Sequence, residues 1–301
     1  MAKAVPTFTF MLSICIPTYR YDVRALATEL LRQATAVKGP VEILVYDDAS
    51  PNDEDWGRSE LRRLAGIRYV ELKTNLGRAA IRNKMARDAQ YDHLVMMDAD
   101  GWPNPDFVSR YFEEVERKPQ LPLIVTGGRT YAPTPPPDHR YHLHWWYGSQ
   151  RESKTVARRK ADGALGFQSN NFMVSKALLL RHPFPDNFEG YGHEDTVWGQ
   201  QFVAEDVTIC HYDNPVVHLG LEPNDVFLRK QEQAIFNLRL LKNESPHLRT
   251  RLIDLADKLP FLPAIARMAP ERTLMDYLIT RERPNLYALD LLKLRWWGKT
   301  E

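Results

Sequence analysis

The tightest constraint on the fold is an alternation that fills roughly the first hundred residues. Short apolar runs, 12–16, 41–46, 67–72 and 94–97, take turns with stretches whose apolar residues recur at helical spacing. The clearest such stretch is 21–37, with Val23, Leu26, Ala27, Leu30, Leu31 and Ala34 on one face and Gly39-Pro40 closing it. Helices are also expected over 54–65 and about 78–90. This order predicts βαβ units, hence an α/β fold whose mostly parallel sheet is flanked by helices. Such crossovers are right-handed, so the carboxyl ends of the strands share one edge. Open α/β sheets bind their ligands at that edge.

Three of the strand ends carry chemistry. The first run ends in Pro17-Thr18-Tyr19, the second in Asp47-Asp48, and the fourth in Asp98-Ala99-Asp100-Gly101. Two carboxylates one residue apart offer the hard oxygen ligands that Mg²⁺ or Mn²⁺ takes, and such ions commonly also hold substrate phosphates. Asp and Gly equally favour a tight turn, and these few residues favour neither reading.

Beyond Pro103-Asn104-Pro105 the pattern predicts a helix to about Lys118 and a strand over 121–131. Residues 132–163 change character, with three consecutive prolines, His142, His144, Trp145-Trp146-Tyr147 and the basic run Arg158-Arg159-Lys160. That composition predicts a mobile surface loop. Its histidines read as ordinary loop residues, and its tryptophans either stack on a sugar or pack the loop down. Ordered sequence resumes over 166–174, with Asn170-Asn171 inside it. Gly190-Tyr191-Gly192-His193-Glu194-Asp195 then opens a helix expected over 196–204, where the two acids suit the positive end of the helix dipole. Strand-like stretches at 207–211 and 215–218 follow. From 224 the chain reads as helical, to Arg295-Trp296-Trp297. Basic and apolar residues mix there, which suits either contact with a membrane surface or packing on the domain, and packing is the expectation. The expected division is an α/β domain over 1–223, with halves 1–105 and 106–223, and a helical extension over 224–301.

Bulk properties remove some classes of function. A net charge of +1 gives no argument for a nucleic-acid partner. Gly-x-Gly-x-x-Gly and Gly-x-x-x-x-Gly-Lys are both missing, against dehydrogenase and P-loop readings. Cys15 and Cys210 lack ligand-like spacing, and Cys15 reads as a buried strand thiol. Residues 1–10 hold one Lys, an early Pro6 and no long apolar run, and no stretch is apolar for long enough to span a bilayer. The expected location is the cytoplasm, with the inner face of the membrane as the place for any peripheral contact.

Five segments in order resemble the family 2 glycosyltransferases, inverting nucleotide-sugar-dependent enzymes of the GT-A fold. They are Ser13-Ile14-Cys15-Ile16-Pro17-Thr18-Tyr19, Val45-Tyr46-Asp47-Asp48-Ala49-Ser50, Asn75-Leu76-Gly77-Arg78 with Arg82-Asn83, Asp98-Ala99-Asp100, and Gly190 to Glu194-Asp195. The resemblance covers about residues 11–220. It implies a Rossmann-like GT-A sheet with a helical C-terminal extension. It implies that Pro17, Thr18, Tyr19 and Arg20 line the nucleotide, with Tyr19 on the uracil and Asp48 accepting from its ring N–H. Arg78 and Ala99 belong to the same subsite. Asp98 would hold the ribose or a metal-bound water, Asp100 the Mn²⁺ or Mg²⁺, and His218 would complete the metal shell. Asp195, with Glu194 as the second choice, would be the general base. Asn170, Asn171, Trp145 and Trp146 are candidates for sugar or acceptor contacts. The implied partners are a UDP-sugar donor and a glycan or lipid-linked glycan acceptor, as in polysaccharide biosynthesis. The Gln-x-x-Arg-Trp element and long membrane helices of processive members do not occur in the sequence, which points to single additions. Two rivals stand beside this reading. A nucleotidyltransferase would want a Gly-rich basic loop where Pro17-Thr18-Tyr19-Arg20-Tyr21 stands. A non-catalytic sugar-nucleotide-binding module would not need all the acids.

Overall fold

The computed structural model describes residues 10–117, 124–186, 192–203, 205 and 207–299. In chain order the first half is β1 (Leu12–Thr18), α1 (Arg24–Ala34), β2 (Val41–Asp47), α2 (Arg58–Arg63), β3 (Ile67–Glu71), α3 (Arg78–Asp88), β4 (His93–Met97), β5 (Gly101–Pro103) and α4 (Phe107–Arg117). Next come β6 (Ile124–Thr126), β7 (Arg129–Thr130), α5 (His142–Tyr147), α6 (Val156–Asp162), β8 (Asn171–Ser175), α7 (Lys176–Arg181), α8 (Glu194–Gln201), β9 (Ile209–His211) and β10 (Val216–His218). The extension holds α9 (Asn224–Glu244), α10 (Arg251–Lys258), α11 (Leu262–Ala266), α12 (Glu271–Thr280) and α13 (Tyr287–Trp297).

The main sheet has the order β3-β2-β1-β4-β8-β6-β9, parallel throughout except for β8, which runs against both its neighbours. Alternate residues of one strand face opposite sides. Ile14, Ile16, Ile43, Val45, Val95 and Met97 therefore join one apolar layer with α1 and α4. Cys15, Leu44, Tyr46, Leu94 and Met96 join the other with α3, α7 and α8. This two-sided burial is why the strands read as unbroken apolar runs. The Cys15 thiol lies fully inside, where burial pushes its pKa up. Strand order reverses between β1 and β4, and the loops carrying Tyr19 and Asp98 leave the sheet there. A second sheet, β5-β10-β7, stands beyond that edge.

Two expectations need correction. Residues 132–163 are mostly helical and packed down rather than forming a mobile loop. A short 3₁₀ turn, α5, a π-helical turn over Gly148–Glu152 and α6 follow one another. Arg159, from the supposedly solvated basic run, is buried and donates to the carbonyls of Thr126, Gly127 and Tyr212 at 2.7–2.9 Å. The prolines misled because they mark only the entry to the segment; its helices form against a partner distant in sequence. Leu143 packs with Phe227, Leu278 and Leu289, so α5 and the C-terminal helices share one core. The single strand expected over 121–131 is two short ones, β6 and β7, belonging to different sheets and separated at Gly127-Gly128. Residues 1–9, 118, 121–123, 190–191 and 204 of the predicted elements lie outside the described residues.

Candidate active site

The first-half site residues sit where the strand edge predicts them, each fixed by backbone geometry. Tyr19 follows β1 and is 48% exposed, so its ring face is open to a ligand. Pro17 and Thr18 end the strand itself, and the Thr18 hydroxyl donates to the Tyr21 carbonyl at 3.0 Å. Arg20 has φ +52°, and its amide donates to the Ser50 hydroxyl at 2.7 Å. Asp48 is buried just past β2, its two oxygens accepting the amides of Leu76 at 2.7 Å and Gly77 at 2.9 Å. Burial raises the Asp48 carboxyl above its ordinary value while those amides pull it down. Each oxygen keeps a lone pair, so the carboxylate can still accept from a ring N–H. Gly77 has φ +81°, the left-handed region open to glycine, and Arg78 follows it as the first residue of α3. Among described residues, the three non-glycine positions with left-handed φ are Arg20, Ala49 and His193. Each neighbours a predicted site residue.

The Asp98-Ala99-Asp100 segment is a turn and, at the same time, the junction of the two sheets. The Asp98 amide donates to the Asn170 carbonyl at 2.9 Å, and the Gly101 amide to the Asp98 carbonyl at 3.0 Å. Ala99 lies half-buried against the core between the two acids. Asp98 accepts from Arg82 at 2.6 Å, with Arg129 3.8 Å from its other oxygen. Asp100 stands beside His218, Oδ1 to Nδ1 3.3 Å, because β5 and β10 pair with Gly101 opposite His218. The Asp100 Oδ1 is buried and makes no hydrogen bond among the described residues. A Cβ on Gly220 would lie 2.1 Å from the Asp100 carboxylate, so only glycine lets the 219–222 turn pass this close. Burial alone would raise the Asp100 carboxyl, but His218, Arg129 and Arg78 hold it below the usual range. A carboxylate held below the usual range and an imidazole 3.3 Å from it form a donor pair that fits a divalent cation. Among described residues no group of three or more His, Cys, Asp or Glu gathers there, so further ligands would have to come from substrate and water.

Glu194 and Asp195 form the first turn of α8, behind His193 in a left-handed conformation. Burial raises both carboxyls, with their mutual repulsion adding for Glu194 and the Thr196 amide opposing for Asp195. Three arginines tie these acids to the others. Arg82 acts on both Glu194 and Asp195, Arg78 on Glu194 and Asp100, and Arg129 on Asp195, Asp98 and Asp100. The acids of β4 and α8, almost a hundred residues apart in sequence, thus share one set of charges.

The tentative sugar contacts divide. Asn170 is buried with neither side-chain amide atom partnered, which leaves it free to meet a ligand. Asn171 is instead a structural pin: it accepts from Tyr111 at 2.6 Å and donates to the carbonyls of Gly128 and Asn214. Trp145 is buried, its indole N–H donating to the Ala132 carbonyl at 2.8 Å, and Trp146 donates to the Pro284 carbonyl at 3.0 Å. Arg283 covers both rings. The tryptophans pack the segment down because their one polar atom has a partner inside the fold.

Sequence reasoning missed a half-buried charge network behind the site. Arg129 donates to Glu152 at 2.9 Å, and the Tyr131 hydroxyl donates to the same carboxylate. Burial would raise Glu152, but Arg129 and Tyr131 bring its carboxyl down to about 2. The Tyr131 and His144 rings flank His218 at 5.3 and 5.4 Å, and His144 stacks on Phe227 of α9 at 4.7 Å. Nothing local marks Glu152 or Arg129. Arg82 was visible in the Arg-Asn element, without a role.

The sheet order, the acid-bearing switch point and the second small sheet together define a GT-A-type α/β fold. The family model described as "Glycosyl transferase family 2" matches residues 13–182, more than half of the chain, and the chain belongs to that family. It is similar to a chondroitin synthase of Escherichia coli, 33% identical over 125 residues, covering 41% of this chain and 18% of that protein. It is also similar to a hyaluronan synthase of Pasteurella multocida, 36% identical over 96 residues, covering 32% of this chain and 10% of that one. The matched stretch is thus under a fifth of either relative's length. Among solved structures, a mannosyltransferase from Pyrobaculum calidifontis in complex with GDP-Man and Mn²⁺ superposes with a TM-score of 0.60 at 16% identity, over 97% of this chain and 87% of that chain. The TarS 1-349 structure of S. aureus in complex with UDP-GlcNAc gives 0.50 at 15% identity, over 96% and 90%. At such identities these likenesses show the fold.

Proposed function

We propose that this chain is an inverting glycosyltransferase that moves a sugar from a UDP-linked donor to a hydroxyl of a glycan or lipid-linked glycan. The observation that carries the reading is the convergence at one sheet edge. Asp100 beside His218, its carboxyl held low, and two half-buried carboxyls on α8, both raised, each lie under two of the three arginines Arg78, Arg82 and Arg129. The names of the two synthase relatives support a glycan acceptor.

On this reading Tyr19 and Asp48 hold the base, with Pro17, Thr18, Arg20 and Ala99 shaping the nucleotide pocket. Asp98, oriented by Arg82, meets the ribose. Asp100 and His218 would hold Mn²⁺ or Mg²⁺, which when bound supplies Lewis-acid stabilisation of charge on the leaving diphosphate. Arg78 places a further cation at the start of α3, near Asp100. Asn170 offers its amide to a sugar hydroxyl. Asp195 takes the proton from the acceptor hydroxyl as that oxygen attacks the anomeric carbon from the face opposite the diphosphate; Glu194 is the second candidate. A raised carboxyl is a stronger base than an ordinary one, which suits that task. The test is release of UDP from candidate UDP-sugars, with and without Mn²⁺. Metal-dependent release supports the enzyme; binding of the sugar nucleotide with no turnover on any acceptor would leave only a binding module.

A further inference from the structure

The C-terminal helices carry an apolar surface that no part of the transfer reading uses. It is not at Arg295-Trp296-Trp297, where the sequence draws attention: Trp296 is buried and its indole donates to Glu271 at 2.7 Å. It lies around the five-residue α11. From Pro260 to Pro270 every exposed residue except Arg267 is apolar, with Phe261 55%, Ile265 56% and Met268 85% exposed. Phe261, Ile265 and Met268 are spaced four and three apart, the spacing of one helix face, and Leu255 of α10 is exposed nearby in sequence. Ala266 and Pro263 on the other side are buried, and α11 packs on α13. The segment is therefore anchored from behind and bare in front.

Within 255–272 the charges have one sign left over, though Asp276 on the next turn of α12 is exposed. Asp254 is bonded to Arg249, Asp257 lies 3.3 Å from Lys242, and Glu271 is held by Arg295 and Lys299. Lys258, Arg267 and Arg272 are exposed and have no acidic partner among the described residues. A second copy meeting this face across a two-fold axis would set the same patch against itself, bringing like cations together. An anionic lipid surface answers both features, taking the apolar side chains below its headgroups and pairing the cations with phosphate.

We infer that the 255–272 face is a membrane-docking surface, in which Phe261, Ile265 and Met268 insert into the headgroup layer and Lys258, Arg267 and Arg272 contact anionic lipid. No helix among the described residues is long and apolar enough to cross a membrane, so the contact is with the surface. The inference goes beyond the transfer reading and does not rest on it, because its readout is binding and none of its residues belongs to the site.

The test is co-sedimentation of the full chain with vesicles of phosphatidylcholine alone or mixed with phosphatidylglycerol. The expected result is binding to the anionic vesicles, weakened by salt. F261S/I265S/M268S should lower the partition coefficient about tenfold or more. K258E/R267E should lower it roughly fivefold per charge at low salt. Circular dichroism and UDP release should match the parent in both variants, separating lost docking from lost folding or lost chemistry. Failure of the parent to bind anionic vesicles, or equal binding by both variants, would overturn the inference. So would a dimer of the parent that the triple variant dissolves with no vesicle binding by either.

Discussion

On the strand-end side of the candidate site, the Asp48 and Asp98 carboxylates take their hydrogen bonds from the first hundred residues, from the Leu76 and Gly77 amides for one and Arg82 for the other. On the far side the supports come from everywhere. His218 is flanked by Tyr131 and His144, Arg129 is neutralised by Glu152, and α5 is held to α9 by Asn224, which accepts from the Leu143 amide at 3.0 Å. One half is built by local rules of sheet and turn; the other depends on long-range contacts with the C-terminal helices. The difference predicts that damage in the first half costs binding or chemistry alone. Damage in the second half should cost stability as well.

The largest effect should come from Asp195→Asn, with turnover falling ~10²–10⁴-fold while affinity for the sugar nucleotide stays within a factor of a few. Unchanged turnover would remove Asp195 from the base role. Because burial raises its carboxyl, activity of the parent should climb with pH through a value above the ordinary Asp range, as the base loses its proton. Asp100→Ala should reduce nucleotide affinity in Mn²⁺ to its metal-free level, measured by titration calorimetry. If the parent itself binds equally well with chelator, the metal assignment fails.

Glu152→Gln tests the other half. It takes from Arg129 its nearest carboxylate and leaves Asp98 at 3.8 Å, and losing a charged hydrogen bond in a half-buried pair (side chains 17% and 23% exposed) costs about 1–2 kcal/mol. Chemical denaturation should show the loss. The parent has a matching pH signature. The folded Glu152 carboxyl is depressed to about 2 from an ordinary 4.5, so its contribution is complete above pH 4.5 and lost as pH falls toward 2. A Gln variant with undiminished stability and the same acid profile would break the contrast between the halves. The smallest effect should be that of Tyr19→Ala, weakening nucleotide binding roughly three- to tenfold with no change in melting temperature.

The same contrast explains what the sequence made legible. The strand–helix alternation, the shared edge and the acid positions follow from period and turn chemistry, which are local. The strand-end positions of Asp48, Asp98 and Asp100 could therefore be read in advance, and so could the buried Cys15, whereas Asp195 stood out only through the family resemblance. The segment 132–163 could not be read correctly. Its prolines and histidines speak for a loop, and only Phe227, Leu278 and Leu289, far along the chain, supply the apolar surface that makes α5 a helix. Asn171 looked like its neighbour Asn170, yet one amide is fully bonded inside and the other is unpartnered. Nothing in a sequence distinguishes two adjacent asparagines that point to different places. Arg129 and Glu152 carried no local mark, since an ion pair is defined by its geometry.

The most direct test of the account is a crystal of this chain grown with UDP-sugar and Mn²⁺, with the metal located by anomalous diffraction. The account predicts a peak bonded to the Asp100 carboxylate and the His218 ring beneath the diphosphate, with Asp195 on the opposite face of the sugar. A bound nucleotide with the metal held elsewhere, or with Asp195 turned away from the sugar, would contradict it.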